Sequence, residues 1–327
     1  MKCTVCREPA VIDLRRHNSN FCAPHFTKFC RDQTQKAIAD FDMMSTDDKV
    51  LVAVSGGKDS LAVWDILLDL GYQASGLYIG LGIGEYSDNS KQFAVDFAER
   101  RGAELIQIDL PAEYGYDIPE GSRAAKRAPC SACGLSKRHL FDHAAVDGGF
   151  DVLVTGHNLD DEAAVLFGNV LHWQTEYLGR QHPVLPARHG FPRKVKPLVR
   201  LGEREMAAYC IVSGIDYIVE ECPMAVGNKH IGYKNALNEI EKQSPGTKAD
   251  FYLGFLRNAA DRFAGEAAEG REALGACVRC GSPSPAEVCA FCRLVERATA
   301  DRNPAPTPQS VELGPARRTA TNKDATT

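Results

Sequence analysis

Residues 55 to 60 read Ser55-Gly56-Gly57-Lys58-Asp59-Ser60 and follow the apolar run Val50-Leu51-Val52-Ala53-Val54. A β-branched run that ends in two glycines and then opens a helix makes a phosphate-binding turn. Glycine lets backbone N–H groups approach phosphate oxygens with no Cβ in the way, and a helix N-terminus adds partial positive charge. The spacing is not G-x-x-x-x-G-K-[ST], so the turn is not a Walker A loop. A plain Gly-Gly turn would not need Lys58, Asp59 and Ser60 beside the glycines. A second segment, Gly156-His157-Asn158-Leu159-Asp160-Asp161-Glu162-Ala163, also follows an apolar run. Asp160 and Asp161 would face the same crevice, where one could hold Mg²⁺ against a phosphate. Capping of the following helix competes for one of the two. His157 could touch a nucleotide or simply pack in its loop.

The other chemistry lies in twelve cysteines. Cys277-x-x-Cys280 and Cys289-x-x-Cys292 are two knuckles that can place four thiolates around zinc. Cys3-x-x-Cys6 needs two more ligands, and Cys22 and His25 supply them at knuckle spacing. His17 or Cys30 could compete with His25, although Cys30 reads as a buried helical thiol. No secretion signal is visible, so C-x-x-C spacing points to metal rather than disulfides. Cys130 and Cys133 stand apart in mid-chain, with no second C-x-x-C beside them. Cys222, in Glu220-Glu221-Cys222-Pro223, is the later candidate to join them; Cys210 has the apolar helical neighbours of a packed thiol. Three thiolates would leave one iron of a [4Fe–4S] cluster open to an incoming sulfur. A Cys130–Cys133 redox or persulfide pair is the alternative.

These residues need a scaffold. From Lys49 onward the chain alternates strands, at 50–54, 74–79, 104–109 and 151–155, with helices at about 59–70, 88–101, 132–147 and 159–171. Such alternation implies a parallel sheet with helices on both faces, and ligands bind beyond the C-terminal strand ends. Both Gly-containing motifs fall there. The expected organisation is an N-terminal zinc finger over 1–30 and a linking helix over 31–48, within which 31–44 look helical. A catalytic α/β domain over 49–220 follows. Next come a helical extension carrying Cys222 over 221–270, broken at Ser244-Pro245-Gly246, a zinc ribbon over 271–296 and a disordered tail over 297–327. From Asn303 the tail is rich in Pro, Thr and Ala and cannot bury enough apolar surface to offset ordering entropy.

The chain of 327 residues is 44% hydrophobic and 25% charged, with a net charge of −5, ordinary values for a globular protein. It has no apolar run of about 18 residues and no apolar h-region near Met1, so neither a membrane span nor secretion is expected, and the location is expected to be cytoplasmic. The acidic balance means that any nucleic-acid binding must rest on local clusters. Two exist: Arg123, Lys126, Arg127, Lys137 and Arg138, and Arg188, Arg193, Lys194, Lys196, Arg200 and Arg204. Solvated faces are the plainer reading of both.

The 55–60 motif resembles the PP-loop of ATP pyrophosphatases, which cut ATP between the α and β phosphates. With Cys130-x-x-Cys133-Gly134, the 156–163 segment, Cys222-Pro223 and a zinc site at each end, the chain resembles the TtcA/TtuA family of PP-loop tRNA thiolation enzymes over residues 1 to about 296. The resemblance implies a HUP-like Rossmannoid PP-loop core flanked by two zinc units. It implies ATP held by Ser55, Gly56, Gly57, Lys58, Asp59, Ser60, Gly156, His157, Asp160 and Asp161, with Lys58, Asp59 and Asp161 in catalytic roles. The implied cofactors are ATP, Mg²⁺, two Zn²⁺ and a [4Fe–4S] cluster on Cys130, Cys133 and Cys222. The implied reaction adenylates the C2 oxygen of uridine or 5-methyluridine 54 and replaces it with sulfur. The implied partners are tRNA, a ubiquitin-like sulfur carrier with a C-terminal thiocarboxylate, and a second copy of the chain in a homodimer. The same chemistry at wobble uridine 34 is the competing target, and a non-catalytic zinc-ribbon tRNA-binding protein the competing class.

Overall fold

The computed structural model describes residues 1–225, 229–263 and 274–300. Of the tail expected over 297–327, residues 301–327 lie outside the described residues, as do parts of the helical extension and of the ribbon's start. Arg297 and Ala298 instead finish the last helix and Thr299 is buried, so the ordered unit runs past the expected boundary.

The sheet has six strands. In chain order they are β3 (Lys49–Val54), β4 (Gln73–Gly80), β5 (Leu105–Asp109), β6 (Val152–Thr155), β7 (Val184–Leu185) and β8 (Arg193–Val195), while β1 (Ile12–Leu14) and β2 (Ser19–Phe21) form a separate N-terminal hairpin. The spatial order is β5-β4-β3-β6-β8-β7, with only the edge strand β7 antiparallel. Strand pairing explains why the central strands read as unbroken apolar runs. Successive side chains point to opposite faces. Val50, Val52 and Val54 enter one core with Val152 and Val154. Leu51 enters the other with Leu77 and Leu153.

Helices cover both faces. The first core takes α1 (Ala23–Asp40), α2 (Lys58–Asp69), α3 (Gly84–Arg101), α7 (Leu159–Leu171) and α9 (Glu203–Ser213). The second takes α4 (Leu110–Tyr114), α5 (Ile118–Ala124) and α6 (Pro129–Asp147). A short α8 (Thr175–Leu178) precedes β7. Two further helices, α10 (Lys229–Gln243) and α11 (Thr247–Asn258), are separated as Ser244-Pro245-Gly246 requires, and both lie on α7. At the end, the β9 (Gly275–Ala276)–β10 (Pro283–Ser284) hairpin and α12 (Ala290–Ala298) form the C-terminal unit. The two cysteine-rich ends attach to opposite faces of the sheet. Ile12 and Leu14 join the first core, and Phe291 and Leu294 join the second.

Three local expectations change. The helix expected over 31–44 spans Ala23–Asp40, because Pro24 sits in its first turn, where a missing N–H costs nothing. The strand-like segment before Cys222 forms no strand. Its Ile218 N–H instead donates to the Gly56 carbonyl at 3.0 Å. The β7–β8 hairpin was not expected; its Val195 is fully buried in the first core and Val184 packs partly against it.

Candidate active site

Chain order fixes where a ligand can sit. The strands run outward from β3 through β4 to β5, and the chain then returns to place β6 on the other side of β3. Loops after β3 and β6 therefore diverge, and the crevice between them is the switch point of a doubly wound sheet. Ser55–Gly57 leave β3, and Gly156–Asn158 leave β6.

Both turns are closely fitted. Gly56 has φ +74°, and a Cβ there would lie 2.1 Å from the Ser90 carbonyl oxygen. A Cβ on Gly156 would lie 2.9 Å from the backbone of Asp59. Glycine is required at these two points by space, and at Gly56 by conformation as well. The Ser60 hydroxyl donates to the Gly57 carbonyl at 2.9 Å and accepts from the Ser55 N–H at 3.1 Å, closing the turn at the start of α2.

Charged groups converge on this turn. Lys58 Nζ lies 3.3 Å from Asp59 and 2.9 Å from Glu203 of α9. Burial alone would lower the Lys58 pKa, but Asp59 and Glu203 hold it above the ordinary range. Burial lifts the Asp59 carboxyl to about 6; Lys58 and an Asn158 amide bond at 3.0 Å oppose the shift, while Asp161 and Glu203 add to it. Asn158 also caps α7. Its side chain accepts from the Asp160 and Asp161 N–H groups, and Asp161 accepts from the Asn158 N–H at 3.1 Å. The other Asp161 oxygen meets Lys234 of α10 at 2.6 Å.

The two neighbouring aspartates differ. Asp161 stays partly exposed at the crevice. Asp160 is buried, accepts the Glu203 N–H at 2.9 Å and pairs with Lys248 of α11. It joins α7, α9 and α11 and has both oxygens committed. His157 lies at the crevice surface, with Nδ1 2.8 Å from the Thr155 hydroxyl. Sequence reasoning reached neither Glu203 nor Lys234. A Gly-Glu-Arg-Glu helix start is legible as a cap, but nothing in it announces contact with Lys58, 145 positions away.

The mid-chain cysteines are neighbours beside this crevice but do not form a set with all sulfurs within 4.8 Å of one another. Cys130 and Cys133 lie in the first turns of α6, and the Cys130 thiol is 3.5 Å from the Met224 carbonyl, in the turn that carries Cys222. Burial raises the Cys133 thiol; Lys137 opposes this, and Cys222 and Cys130 add to it. Tyr86 of α3 is close enough to feel them, its phenol raised by burial and then by Cys222 and Cys133. Cys130 is exposed, and Cys133 and Cys222 are half-buried. Cys210 is apart and fully buried, with its thiol donating to the Lys58 carbonyl and pushed up to about 12 by burial. A cavity of about 490 Å³ runs from Ser55, Gly57, Lys58 and Asp59 past Tyr86 to Cys222.

The terminal clusters are tighter. Ligand atoms of Cys3, Cys6, Cys22 and His25 lie within 4.8 Å of one another, as do those of Cys277, Cys280, Cys289 and Cys292. Each set can clasp one ion, and the donor types suit zinc. His17, the competitor for His25, instead stacks edge-on against Phe29; Cys30 is buried in the core. The N-terminal unit is fixed to α9 by Arg16, 2.7 Å from Glu205. The C-terminal unit is fixed to α6: Phe291 stacks on His139 at 4.0 Å, and His143 bonds Ser282. Thus α6 joins the ribbon to the Cys130–Cys133 turn.

The basic clusters divide. Arg123, Lys126, Arg127, Lys137 and Arg138 form no ion pair among the described residues, and all but Lys137 are exposed. In the second cluster Lys196 pairs with buried Glu162 at 2.8 Å, Lys194 with Asp142 and Arg200 with Asp40, and Arg204 donates to the Asp13 carbonyl. Those cations hold the fold together.

Known proteins resemble this chain in sequence and in fold. Residues 2–27 match the family described as 2-thiouridine synthetase TtuA, N-terminal LIM domain. The tRNA-5-methyluridine(54) 2-sulfurtransferase of Thermus thermophilus is 49% identical, over 90% of this chain and 91% of its own. The chain belongs to this sulfurtransferase family. The Pyrococcus horikoshii member is 41% identical over 90% of this chain and 93% of its own. The Methanococcus maripaludis U34-tRNA thiolase NcsA, solved with its [4Fe-4S] cluster, superposes with a TM-score of 0.74 over 90% of this chain and 95% of that one, at 24% identity. That likeness supports the fold. No described helix is long and apolar enough to cross a membrane.

Proposed function

We propose that this protein is a tRNA sulfurtransferase that uses ATP to replace the C2 oxygen of 5-methyluridine 54 with sulfur. The observation that carries the reading is the cavity joining the phosphate-binding turn to Cys222. A carbonyl oxygen is a poor leaving group, so it must be activated, and activation and sulfur delivery must act on one base. A single cavity lined by the phosphate-binding turn and by Cys222 meets that need.

The C2 oxygen attacks the ATP α-phosphorus, and pyrophosphate leaves. Sulfur then attacks C2, and AMP departs with the original oxygen. Lys58 and the N-terminus of α2 stabilise charge developing on the phosphates. Asp59 and Asp161 would hold Mg²⁺, which would supply charge neutralisation for the leaving pyrophosphate. Asp160, expected at the ATP site, instead fixes α9 against α7. Cys130 lies against the turn that carries Cys222, Cys133 follows it in the same helix start, and Cys210 is buried against the Lys58 carbonyl, so Cys130, Cys133 and Cys222 would be the three protein ligands of a cluster. Such a cluster would supply an iron free to take up the incoming sulfur. The Arg123–Arg127 surface docks tRNA backbone, since phosphate contacts position a nucleic acid without reading it. The sulfur donor is a ubiquitin-like carrier with a C-terminal thiocarboxylate, the working form is a homodimer, and the setting is the cytoplasm.

Position 54 is preferred to wobble position 34 because the relatives at 49% and 41% identity bear the position-54 name. Nucleoside analysis of tRNA from cells with and without the gene tests this. Loss of 2-thiolation in the T-loop is the expected result, and loss confined to position 34 would overturn it.

A further inference from the structure

The sequence motifs bring one cation, Lys58, to the phosphate-binding turn. The fold brings a second. Lys234 Nζ lies 2.6 Å from Asp161 and 3.2 Å from Glu203 Oε2, while Glu203 Oε1 lies 2.9 Å from Lys58 Nζ. One carboxylate thus bridges two ammonium groups, an oxygen to each. A phosphate group presents the same two-oxygen edge and carries more charge.

Lys234 is held at this place. Its side chain is only 24% exposed. The adjacent Tyr233 seats its ring on Gly168 of α7, where any Cβ would come within 2.7 Å, and its hydroxyl pairs with His172 at 3.0 Å. The register of α10 on α7 is therefore fixed, and Lys234 faces the crevice with little ordering left to lose. Glu203 is the more mobile member. Its backbone is anchored to Asp160, but its carboxylate is 39% exposed and can turn to solvent.

We propose that Lys234 is a second phosphate-binding cation of the ATP site, and that the Glu203 carboxylate holds both lysines in position until the ATP phosphates displace it. The proposal rests on the reading of the Ser55–Ser60 turn as an ATP site. Two further facts favour displacement over metal binding by Glu203. Each of its two oxygens faces an ammonium group, which repels a divalent cation and attracts an anion, whereas Asp59 and Asp161 each meet only one. The carboxylates suited to Mg²⁺, Asp59 and Asp161, remain when Glu203 leaves.

The test is equilibrium binding of a non-hydrolysable ATP analogue with Mg²⁺ to the full-length, zinc-loaded protein. Lys234→Ala is expected to weaken binding by about 10- to 100-fold, the range for loss of a hydrogen-bonded charge. Lys234→Arg should recover part of the loss. Glu203→Gln should tighten binding several-fold, because it removes the competing charge. Wild-type affinity in a folded Lys234→Ala protein would overturn the proposal. So would weaker or unchanged binding by Glu203→Gln, which decides the matter even if Lys234→Ala fails to fold. Lys58→Ala separates the two levels of the argument. If it binds as well as wild type, the ATP-site reading itself fails; if it loses binding while Lys234→Ala keeps it, only the role of Lys234 fails.

Discussion

Removing the charge of Lys58 should stop activation without unfolding the chain. The Lys58 ammonium lies 3.3 Å from Asp59 and 2.9 Å from Glu203. At an effective dielectric constant near 20, an ion pair at 3.3 Å is worth about 5 kcal/mol before solvent screening. Asp59 already titrates at about 6 with that pair intact. In Lys58→Met the Asp59 carboxyl should therefore be protonated at neutral pH and lose its hold on Mg²⁺. The direct loss is a preorganised cation at the developing phosphate charge, about 3 to 4 kcal/mol, or 10² to 10³ in rate. The assay is single-turnover AMP release with tRNA, run beside zinc content and thermal melting. Lys58 is partly exposed and outside both cores, so zinc and melting temperature should change little. Turnover within tenfold of wild type would refute the reasoning.

Activity should fall as pH drops through about 6, where Asp59 takes up its proton, and a pH–rate profile lacking that limb would count against its role. The stability effect has the opposite sign: the folded pKa is raised above the unfolded value, so ionising Asp59 disfavours folding, by an upper bound of about 3 kcal/mol above pH 6. Asp59→Asn should thus be inactive yet melt higher at pH 7.5, with the gain gone below about pH 4. Elemental analysis should find two zinc ions per chain, and Cys289→Ser should lose one of them and lower solubility, since its unit packs into the second core; retention of both ions would contradict the assigned ligands. Replacing Arg123, Lys126 and Arg127 together should weaken tRNA binding and flatten its salt dependence. Lys196→Ala should instead destabilise the fold by roughly 3 to 5 kcal/mol, because it strands buried Glu162; equal salt slopes in both variants would erase this distinction.

Local signals were strong wherever backbone chemistry dictates residue type. The apolar runs of β3 and β6, the paired glycines and the Asn158–Asp161 cap each specify their structure within a few residues. The Cys knuckles do the same for metal. What the sequence hid depends on long-range pairing. The second basic cluster reads as a cationic surface, yet Lys194, Lys196 and Arg200 meet Asp142, Glu162 and Asp40. Asp160 and Asp161 are adjacent and identical in type; only the packing of α9 and α11 separates a buried brace from a crevice carboxylate. Glu203 and Lys234 reach the phosphate turn from helices that carry no motif. The short strands β7 and β8 were missed because only one side chain of the Arg193–Val195 strand is apolar and buried.

The central claim is that activation and sulfur delivery share one cavity, with Cys130, Cys133 and Cys222 alone holding the sulfur-handling group. The most direct measurement is anaerobic reconstitution of wild type, Cys222→Ser and Cys210→Ser, followed by iron counting, ATP-analogue binding and mass analysis of the T-loop nucleoside. The account predicts about four irons and 2-thiolation in wild type and Cys210→Ser, and neither in Cys222→Ser, with ATP-analogue binding kept in all three. Loss of iron from Cys210→Ser, or full thiolation by a protein without iron, would contradict it.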